Sequence, residues 1–308
     1  MSRRRKRAIV QRLEYILYRL VARLVRDVSD QTVLRWGARV GGVAMRVLRG
    51  RDRLAMRNLA AVFPDRAAAD LRSVLDACWI HFGREALGYI RLQHLPAAAI
   101  AERCPFVHAE ILEEAVGRGR GVILISAHYG GWEVAGLAVM ALVPNVRTVA
   151  RPLDNELLER DLQKIRARTG VEVLDKNHAA RGLLKGLSEN AVVVLLPDQA
   201  VLPREGIAVP FLGRSGWTTD APAKLALRHG STIVFAFCIP DGTRHRLEFQ
   251  NPIDVDQLQN DERDVASLTR QINDVISRRI IEDPHLWLWM HDRWKGTIQV
   301  EGQITDAE

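Results

Sequence analysis

Residues 121–136 read GVILISAHYGGWEVAG, and this stretch decides the fold of the chain. An apolar, β-rich run at 122–125 gives way to His128, and a Gly-Gly pair follows it. The order predicts a buried strand, a tight turn and a helix that opens near Trp132. Turns of this kind place polar side chains at the carboxyl edge of a sheet, where α/β enzymes hold their substrates.

The residues of this turn are suited to proton transfer. A neutral imidazole at His128 can take a proton near pH 7, and the carboxylate of Glu133 would fix its tautomer. Gly130 and Gly131 would let a substrate approach the backbone, and the helix N-terminus offers free amides to an anion. A single histidine after a strand is more often structural. The combination of strand, glycine pair and nearby acid is what favours a catalytic base here.

Beyond this turn, apolar runs alternate with amphipathic segments. Strands are predicted at 121–126, 146–150, 171–174, 191–196, 231–238 and 245–250, and helices at 132–142, 154–168, 178–188, 219–229 and 262–282. Residues 93–120 are interpreted as a connection and 197–218 as a loop. The alternation predicts an α/β fold, with a mostly parallel or mixed central sheet flanked by helices and with an N-terminal helical extension.

Three polar residues directly follow predicted strands: His128, Arg151 and Asp198. Right-handed crossovers bring the carboxyl ends of such strands to one edge, so we expect the three side chains to converge there. A guanidinium at that edge suits bidentate contact with a phosphate. The alternative for Arg151 is a local salt bridge to Asp154 or Glu156.

The basic character of the chain is concentrated near its N-terminus. Residues 1–60 carry 16 basic and four acidic groups, a net charge of +12, whereas the whole chain of 308 residues is only +7. Residues 8–92 are predicted to be helical, with turns near 29–30 and 64–65. We therefore divide the chain into an N-terminal helical, membrane-associating region at 1–92 and an α/β domain at 93–308. Residues 50–92 are expected to pack with that domain as one unit.

One apolar stripe recurs at helical spacing in the first 25 residues. It comprises Ile9, Val10, Leu13, Ile16, Leu17, Leu20, Val21, Leu24 and Val25. Arginines interrupt the stripe, and no uncharged run reaches the roughly 18 residues needed to span a bilayer. The pattern predicts a basic amphipathic helix at an anionic membrane surface; the alternative is a helix packed on the domain with solvated arginines. Nucleic acid is not expected as a partner, because the sequence contains no helix-turn-helix, zinc finger or aromatic RNA-binding segment.

Other chemistries find little support in the sequence. The three cysteines have no paired spacing and the nine histidines form no zinc pattern, so no metal site is predicted. Ser126 lies two residues before His128 on the same strand face, which leaves a Ser–His nucleophile open. Direct transfer fits better, because nothing in the sequence marks an activated serine or cysteine.

The His128–Glu133 spacing resembles the H-x-x-x-x-D/E motif of the glycerolipid and lipid A acyltransferases. Further segments resemble the lipid A biosynthesis (lauroyl/myristoyl) acyltransferase family in family order: Arg57-Asn58-Leu59 with Phe63-Pro64, WIHFGRE at 79–85, RPLDN at 151–155, PDQ at 197–199 with VPFLG at 209–213, and PHLWLWMHDRWK at 284–295. Together they cover the chain from about residue 50 to residue 296. One departure is Asp292, which stands where the family commonly has an arginine and removes a basic contact.

The resemblance implies a set of roles. It places Asp198 in the catalytic site and Gln199 beside it, and it puts Arg166 near the acyl donor. It implies no tightly bound cofactor; the co-substrate would be an acyl-acyl carrier protein or acyl-coenzyme A, with the carrier protein a transient partner. The acceptor would be a hydroxyl of a lipid A precursor or related membrane glycolipid. The enzyme would then sit on the cytoplasmic face of the bacterial inner membrane, peripheral or monotopic through its N-terminal helices.

Two other functions remain open at this stage. The chain would also fit a catalytically inactive, peripheral lipid-binding relative, or an acyltransferase or hydrolase acting on a lysophospholipid. The presence of His128, Glu133, Arg151 and Asp198 together favours an enzyme. Trp287, Trp289 and Trp294 are interpreted as packing residues rather than binding groups.

Overall fold

The computed structural model describes residues 3–93, 95–175, 179–300 and 303–306. The helices are α1 Arg3–Arg26, α2 Asp30–Val47, α3 Arg49–Val62, α4 Ala68–Leu92, α5 Ala97–Arg103, α6 Glu110–Gly117, α7 Trp132–Ala138, α8 Glu156–Thr169, α9 Ala179–Ser188, α10 Ala221–His229 and α11 Val265–Glu282. The strands are β1 Phe106–Val107, β2 Val122–Ile125, β3 Val146–Ala150, β4 Glu172–Asp175, β5 Val192–Leu195, β6 Ile207–Phe211, β7 Arg214–Thr218, β8 Thr232–Asp241, β9 Arg244–Ile253, β10 Thr297–Val300 and β11 Gln303–Asp306. Short 3₁₀ turns lie at Val139–Ala141, Pro203–Glu205 and Pro284–Leu286.

In the described part of the chain, seven strands form one mixed sheet in the order β1-β9-β8-β2-β5-β3-β4. The strands from β8 to β4 run parallel, whereas β9 is antiparallel to β8 and β1 runs parallel to β9. β2 is central and buried along its whole length, as expected for a parallel strand covered on both faces. The predicted α/β class, with a mixed sheet, flanking helices and N-terminal helices, is confirmed.

Alternate residues of β2 enter two different cores. Ile123 and Ile125 pack in a core that includes residues of α3, α4, α10 and α11. Val122 and Leu124 pack in the opposite core with residues of α5, α6 and α7. Each face of the sheet therefore has its own helical layer, and the edge between the layers is where the loops after the strands lie.

Three details differ from the sequence interpretation. The N-terminal helices break near both predicted turns, and a further break falls at Leu48, where α2 passes into α3. The connection at 93–120 contains α5, β1 and α6. The predicted loop at 197–218 was wrong in part, because it contains the hairpin β6–β7.

The hairpin turn consists of Leu212 and Gly213, both with positive φ (51° and 74°). Two-residue hairpin turns need this backbone, which leucine rarely adopts, so the sequence lacks the usual Asn-Gly or Asp-Gly signature. Pro210 and Gly216 within the strands further hide their β character.

Helix α1 lies against the rest of the chain through both apolar and polar contacts: Ala22 and Val25 are buried, and Val25 packs with Val33 and Leu87. Tyr15 Oη and Arg19 Nη1 contact Asp161 Oδ2 at 3.0 and 3.2 Å, and Tyr18 Oη donates to Gln93 Oε1 at 3.0 Å. Much of its apolar stripe faces outward instead; the exposed members are Ile9, Val10, Leu13, Ile16, Leu17, Leu20 and Leu24. None of the helices in the described residues combines the length and apolarity required to cross a bilayer.

Candidate active site

The candidate site begins where β2 ends. After Ile125, the buried residues Ser126 and Ala127 lead to His128, whose side chain is half-buried, and α7 opens at Trp132. β5 pairs with β2 in parallel, with Ile125 opposite Leu195, so the segments that follow both strands emerge at the same edge. Because the sheet is parallel here, a residue shortly after β5 can reach one shortly after β2.

Asp198 is that residue after β5. Its Oδ1 lies 2.9 Å from Nδ1 of His128, and its Oδ2 accepts from the backbone amide of His128 at 3.0 Å. The indole Nε1 of Trp287 also donates to Oδ2, at 2.9 Å. Asp198 is only 1% exposed, so three donors hold a buried carboxylate in place.

These contacts decide the protonation of His128. A carboxylate facing Nδ1 requires a proton on Nδ1, which leaves Nε2 as the unprotonated, basic nitrogen. Burial tends to lower the pKa of His128, but the charge of Asp198, the hydrogen bond with it and the charge of Glu133 outweigh burial and raise this pKa above 6.5. In its neutral form the imidazole therefore carries its proton on Nδ1 and has a strengthened base at Nε2.

The same contacts keep Asp198 ionised. Burial alone would raise the pKa of Asp198, whereas the charge and hydrogen bonds of His128 and the hydrogen bond from Trp287 bring it below 3.8. The carboxylate is thus available to stabilise an imidazolium that forms on His128 during a reaction.

The contact with Nδ1 of His128 that spacing predicts for Glu133 is made by Asp198 in this structure. Glu133 is exposed in the first turn of α7, and its contribution to His128 is that of a nearby charge. Spacing along one helix brings an acid near the base, but the hydrogen bond to Nδ1 comes from the neighbouring strand.

The glycines of the turn also have a different explanation. The amide of Gly130 donates to Leu286 O at 2.8 Å and that of Gly131 to Cys238 O at 2.9 Å, so both donors are occupied. Gly130 has φ 56°, and a Cβ there would lie 2.0 Å from Cys238 O; one on Gly131 would lie 2.6 Å from the ring of His245. Close packing against the backbone of β8 therefore requires glycine at 130, a side chain at 131 would displace the ring of His245, and the substrate-binding role of the pair stays a prediction.

The C-terminal segment 284–295 packs directly on the catalytic turn. In addition to the indole of Trp287, the amide of Leu288 donates to His128 O at 3.0 Å, and Tyr129 and Trp287 form an isolated antiparallel bridge. Trp287, Trp289 and Trp294 are buried, which agrees with the packing role predicted for them. The hydrogen bond from Trp287 to Asp198 is a role that sequence reasoning missed.

Asn58 lies in one of the segments that resemble the family, and it makes long-range hydrogen bonds. Its amide Nδ2 donates to Trp289 O and to His291 O, both at 2.9 Å, and its side chain is buried. Nε2 of His291 in turn accepts from the amide of Ala200 at 3.1 Å, next to the loop that carries Asp198. Two segments more than 200 residues apart in sequence therefore support the same catalytic edge.

The departure at Asp292 falls on an exposed position. Its neighbour Arg293 is the buried cation of this segment: it donates to Trp217 O at 3.0 Å and to Thr218 Oγ1, and its guanidinium lies 4.4 Å from the ring of Phe211. Burial lowers the pKa of Arg293 to about 10.

Arg151 is at the expected edge but shows the local alternative. β3 lies beside β5, so the residue that follows β3 emerges near the other two. The guanidinium Nη2 lies 2.9 Å from Asp154 Oδ1, and the Arg151 side chain is 78% exposed. Of the three residues expected to converge, the structure brings His128 and Asp198 into contact and shows Arg151 paired with Asp154.

The remaining predicted residues vary in how far the structure places them. Gln199 is half-buried directly after Asp198, whereas the side chain of Arg166 lies outside the described residues. Ser126 is buried and its hydroxyl has no hydrogen-bond partner among the described residues, so no Ser–His pair is formed. The described residues contain no cluster of histidine, cysteine and acidic groups able to hold a metal ion.

Fold and site together define the class of the protein: an α/β enzyme with a histidine–aspartate pair at the carboxyl edge of its sheet. The model of the family described as bacterial lipid A biosynthesis acyltransferase matches residues 2–296, and the chain belongs to this family. The protein is therefore an acyltransferase.

Its sequence identity to three individual relatives is 24–27%, and each matched region covers most of both chains. A phosphatidylinositol mannoside acyltransferase of Mycolicibacterium smegmatis is 27% identical over 245 residues, 77% of this chain and 78% of the relative. The lipid A biosynthesis lauroyltransferase of Escherichia coli is 25% identical over 280 residues, 88% of each chain. The palmitoleoyltransferase of the same organism is 24% identical over 262 residues, 84% of this chain and 83% of the relative.

Proposed function

We propose that the protein transfers a fatty acyl chain from a thioester donor to a hydroxyl of a lipid A precursor or related membrane glycolipid, with His128 as the general base. The donor is an acyl-acyl carrier protein or acyl-coenzyme A. The observation that carries the proposal is the buried carboxylate of Asp198 on Nδ1 of His128, which leaves Nε2 as the base. The names of the relatives supply the substrate class.

In this mechanism Nε2 of His128 takes the proton of the acceptor hydroxyl as its oxygen attacks the thioester carbonyl carbon. The imidazolium that forms is stabilised by Asp198. When the tetrahedral intermediate collapses, the C–S bond breaks and the leaving sulfur receives the proton from Nε2. The products are the acylated lipid and a free thiol, and the histidine returns to its starting state.

Direct transfer is favoured over an acyl-enzyme. A serine nucleophile would need a base within hydrogen-bond reach, and the hydroxyl of Ser126 makes no hydrogen bond in the described structure. Glu133 contributes charge near His128, and Arg151 is assigned to a phosphate of the donor or acceptor when it leaves Asp154.

Membrane attachment through the N-terminal helices is part of the proposal. The exposed apolar side chains of α1 form a face suited to lipid, and exposed apolar side chains also occur on α2, at Val40, Val43 and Val47. Arginines of the N-terminal region would contact anionic head groups on the cytoplasmic face of the inner membrane.

The test is whether thioester consumption depends on a lipid acceptor. Purified protein is incubated with acyl-acyl carrier protein or acyl-coenzyme A, with and without extracted membrane lipids, and free thiol is measured. We expect thiol release only with lipid, together with a new acylated lipid by mass spectrometry. Release without an acceptor would indicate a hydrolase, and no release under either condition would indicate a lipid-binding protein without chemistry. Comparing the membrane lipids of cells with and without the gene would identify the acceptor.

A further inference from the structure

A second concave site lies behind the catalytic turn. A cleft of about 610 Å³ is enclosed by α2, α4 and the β8–β9 hairpin, with the segment around Leu286 closing one side. Its volume is within the range of small-molecule sites in proteins. The lining has an apolar part, which includes Val33, Leu34 and Ile80, and a strongly charged part.

The acidic groups of the cleft already have cationic partners. Asp30 contacts Arg91 at 3.2 Å and Arg103 at 3.5 Å. Glu85 accepts from His245 Nε2 at 2.9 Å. These pairs use up the negative charge of the two acids, so neither repels an anion as a free carboxylate would.

The third acid, Asp283, shares a cation: Arg279 Nη2 lies 3.6 Å from its Oδ2, and the same guanidinium contacts Glu282 at 2.7 Å. Burial lowers the pKa of His285 below 6.5, so this side chain does not offset the charge of Asp283. Arg84 on α4 and Arg244 at the start of β9 are exposed lining residues whose side chains make no ion pair or hydrogen bond with the described residues. The cleft therefore presents two uncompensated guanidinium groups beside an apolar wall.

The cleft borders the turn that carries His128. His81 and Leu286 line it, and both contact Gly130: His81 Nε2 lies 3.3 Å from Gly130 O, and Leu286 O accepts from the Gly130 amide at 2.8 Å. Gly130 is two positions after His128. A molecule held in the cleft therefore lies next to the backbone segment that carries His128.

We propose that this cleft binds the phosphate-bearing head group of a lipid, with Arg84 and Arg244 as the phosphate ligands. A phosphate monoester carries nearly two negative charges, which matches the two free guanidinium groups, and arginine binds phosphate through paired N–H donors. The apolar wall suits the glycerol or acyl part of an amphiphile. The proposal rests on the proposed function in one respect, namely that the bound lipid is the acyl acceptor.

Binding is tested on the full chain by calorimetric titration with dihexanoyl phosphatidic acid below its micelle concentration. Dihexanoyl phosphatidylcholine and inorganic phosphate are the comparison ligands. We expect Arg84→Gln and Arg244→Gln each to weaken phosphatidic acid binding roughly tenfold, as expected for loss of a hydrogen bond to a charged group. The matched control is Arg228→Gln, an exposed arginine of α10 outside the cleft, which should leave binding unchanged.

Three binding results would overturn the proposal. Equal binding by wild type and both arginine variants would remove the arginines from the site. Equal binding of phosphatidylcholine would show an apolar groove without phosphate recognition. Inorganic phosphate binding as tightly as phosphatidic acid, with the same arginine dependence, would show a site for a small anion instead of a lipid.

Kinetics test the link to acyl transfer separately. We expect Arg84→Gln and Arg244→Gln to raise KM for the lipid acceptor with kcat nearly unchanged, and His128→Ala to bind phosphatidic acid as wild type does. If the arginine variants raised KM for the acyl carrier protein instead, the surface would belong to the donor and the proposal would be wrong. Failure of acyl transfer in wild type, with arginine-dependent binding intact, would refute the proposed function and leave the lipid site standing.

Discussion

The edge of the sheet that carries His128 and Asp198 differs from helix α1 in which side chains are buried and which are exposed. At the edge, the charged carboxylate of Asp198 is buried and accepts hydrogen bonds from His128 and Trp287. On α1, leucines are exposed, with Leu13, Leu17 and Leu20 at 61%, 63% and 55%, while the opposite side of the helix contacts the body through a few polar groups and the buried Val25. One region buries charge and the other exposes apolar surface.

Burying the carboxylate is costly for stability in water, whereas exposing the apolar stripe is unusual for a different reason. A buried carboxylate is tolerated only when hydrogen bonds and an opposite charge replace its hydration, which requires several segments to be placed accurately. An exposed apolar stripe costs little in folding but is unusual on a monomer, and it indicates a surface that meets another apolar phase. The difference separates a region that holds a buried carboxylate against His128 from one that exposes an apolar face.

The largest effect should come from removing the base. General-base catalysis is typically worth about 10²–10⁴-fold, so His128→Ala should lower kcat by roughly that factor. Its circular dichroism should match wild type. The matched control is His108→Ala, an exposed histidine paired with Glu110, which should retain full activity. Near-normal acyl transfer by folded His128→Ala protein would show that another group is the base.

Asp198→Asn should have the next largest effect, about 100-fold in kcat at the lower end of the general-base range. The amide oxygen can still accept from the His128 amide and from Trp287, but an NH₂ group then faces Nδ1. Nδ1 must become an acceptor, so the proton moves to Nε2 and blocks the base. Glu133→Gln removes a charge near His128 and should cost a few-fold at most. A larger loss in Glu133→Gln than in Asp198→Asn would return the orienting role to Glu133.

The pH dependence gives this comparison a second readout. His128 acts as a base only when neutral, so kcat/KM should rise with pH through its pKa, and in wild type the midpoint should lie above 6.5. In Asp198→Asn the charge and hydrogen bond of Asp198 that raise this pKa are lost while burial remains, so the midpoint should move to lower pH. A midpoint that stays in place would mean that the titration belongs to another group.

The sequence was sufficient for most of the fold because the buried parallel strands are continuous apolar runs with clear breaks. It also identified His128 and Asp198 as neighbours, since each follows a strand and adjacent parallel strands share an edge. The orienting acid was assigned to Glu133 because local spacing is visible in a sequence, whereas strand order is not. The order β2-β5, which brings Asp198 to Nδ1, depends on crossover paths.

The contacts that hold the site in place could not be predicted from the sequence for the same reason. The hydrogen bonds from Asn58 to Trp289 O and His291 O join residues more than 200 positions apart, and no periodicity indicates them. The glycines were correctly singled out, but their reason is the approach of β8 and β9, which the sequence does not show. The hairpin β6–β7 was missed because a leucine occupies a left-handed turn position.

Helix α1, the second region of the comparison, is tested by making its exposed apolar face polar. Replacing Leu13, Leu17 and Leu20 by glutamine removes partly exposed side chains whose full burial in lipid is worth about 1.5–3 kcal/mol each. We expect binding to anionic vesicles, measured by sedimentation, to fall at least about 100-fold, with activity on detergent-dispersed substrate nearly unchanged. Leu153→Gln and Leu202→Gln, exposed leucines elsewhere, are the controls. Unchanged sedimentation of the triple variant would mean that α1 is not the lipid-binding face.

High salt provides a further distinction in the same experiment. Attraction of arginines to anionic lipid is screened by salt, whereas apolar insertion is not. Wild type should therefore be released only in part at high salt, and the triple leucine variant should be released nearly completely. Complete release of wild type would assign the attachment to charge alone.

The smallest effect should come from Trp287→Phe at the catalytic edge. Phenylalanine keeps most of the packing against Phe211 and Trp289 but removes the Nε1 donor to Asp198 Oδ2. That oxygen still accepts from the His128 amide, so it is not left unsatisfied, and the loss of one hydrogen bond to a charged group should lower kcat about tenfold or less. The pKa of Asp198 should rise, because one of the hydrogen bonds that lower it is gone. A loss as large as that of Asp198→Asn would show that the indole, and not the aspartate alone, fixes the position of the base.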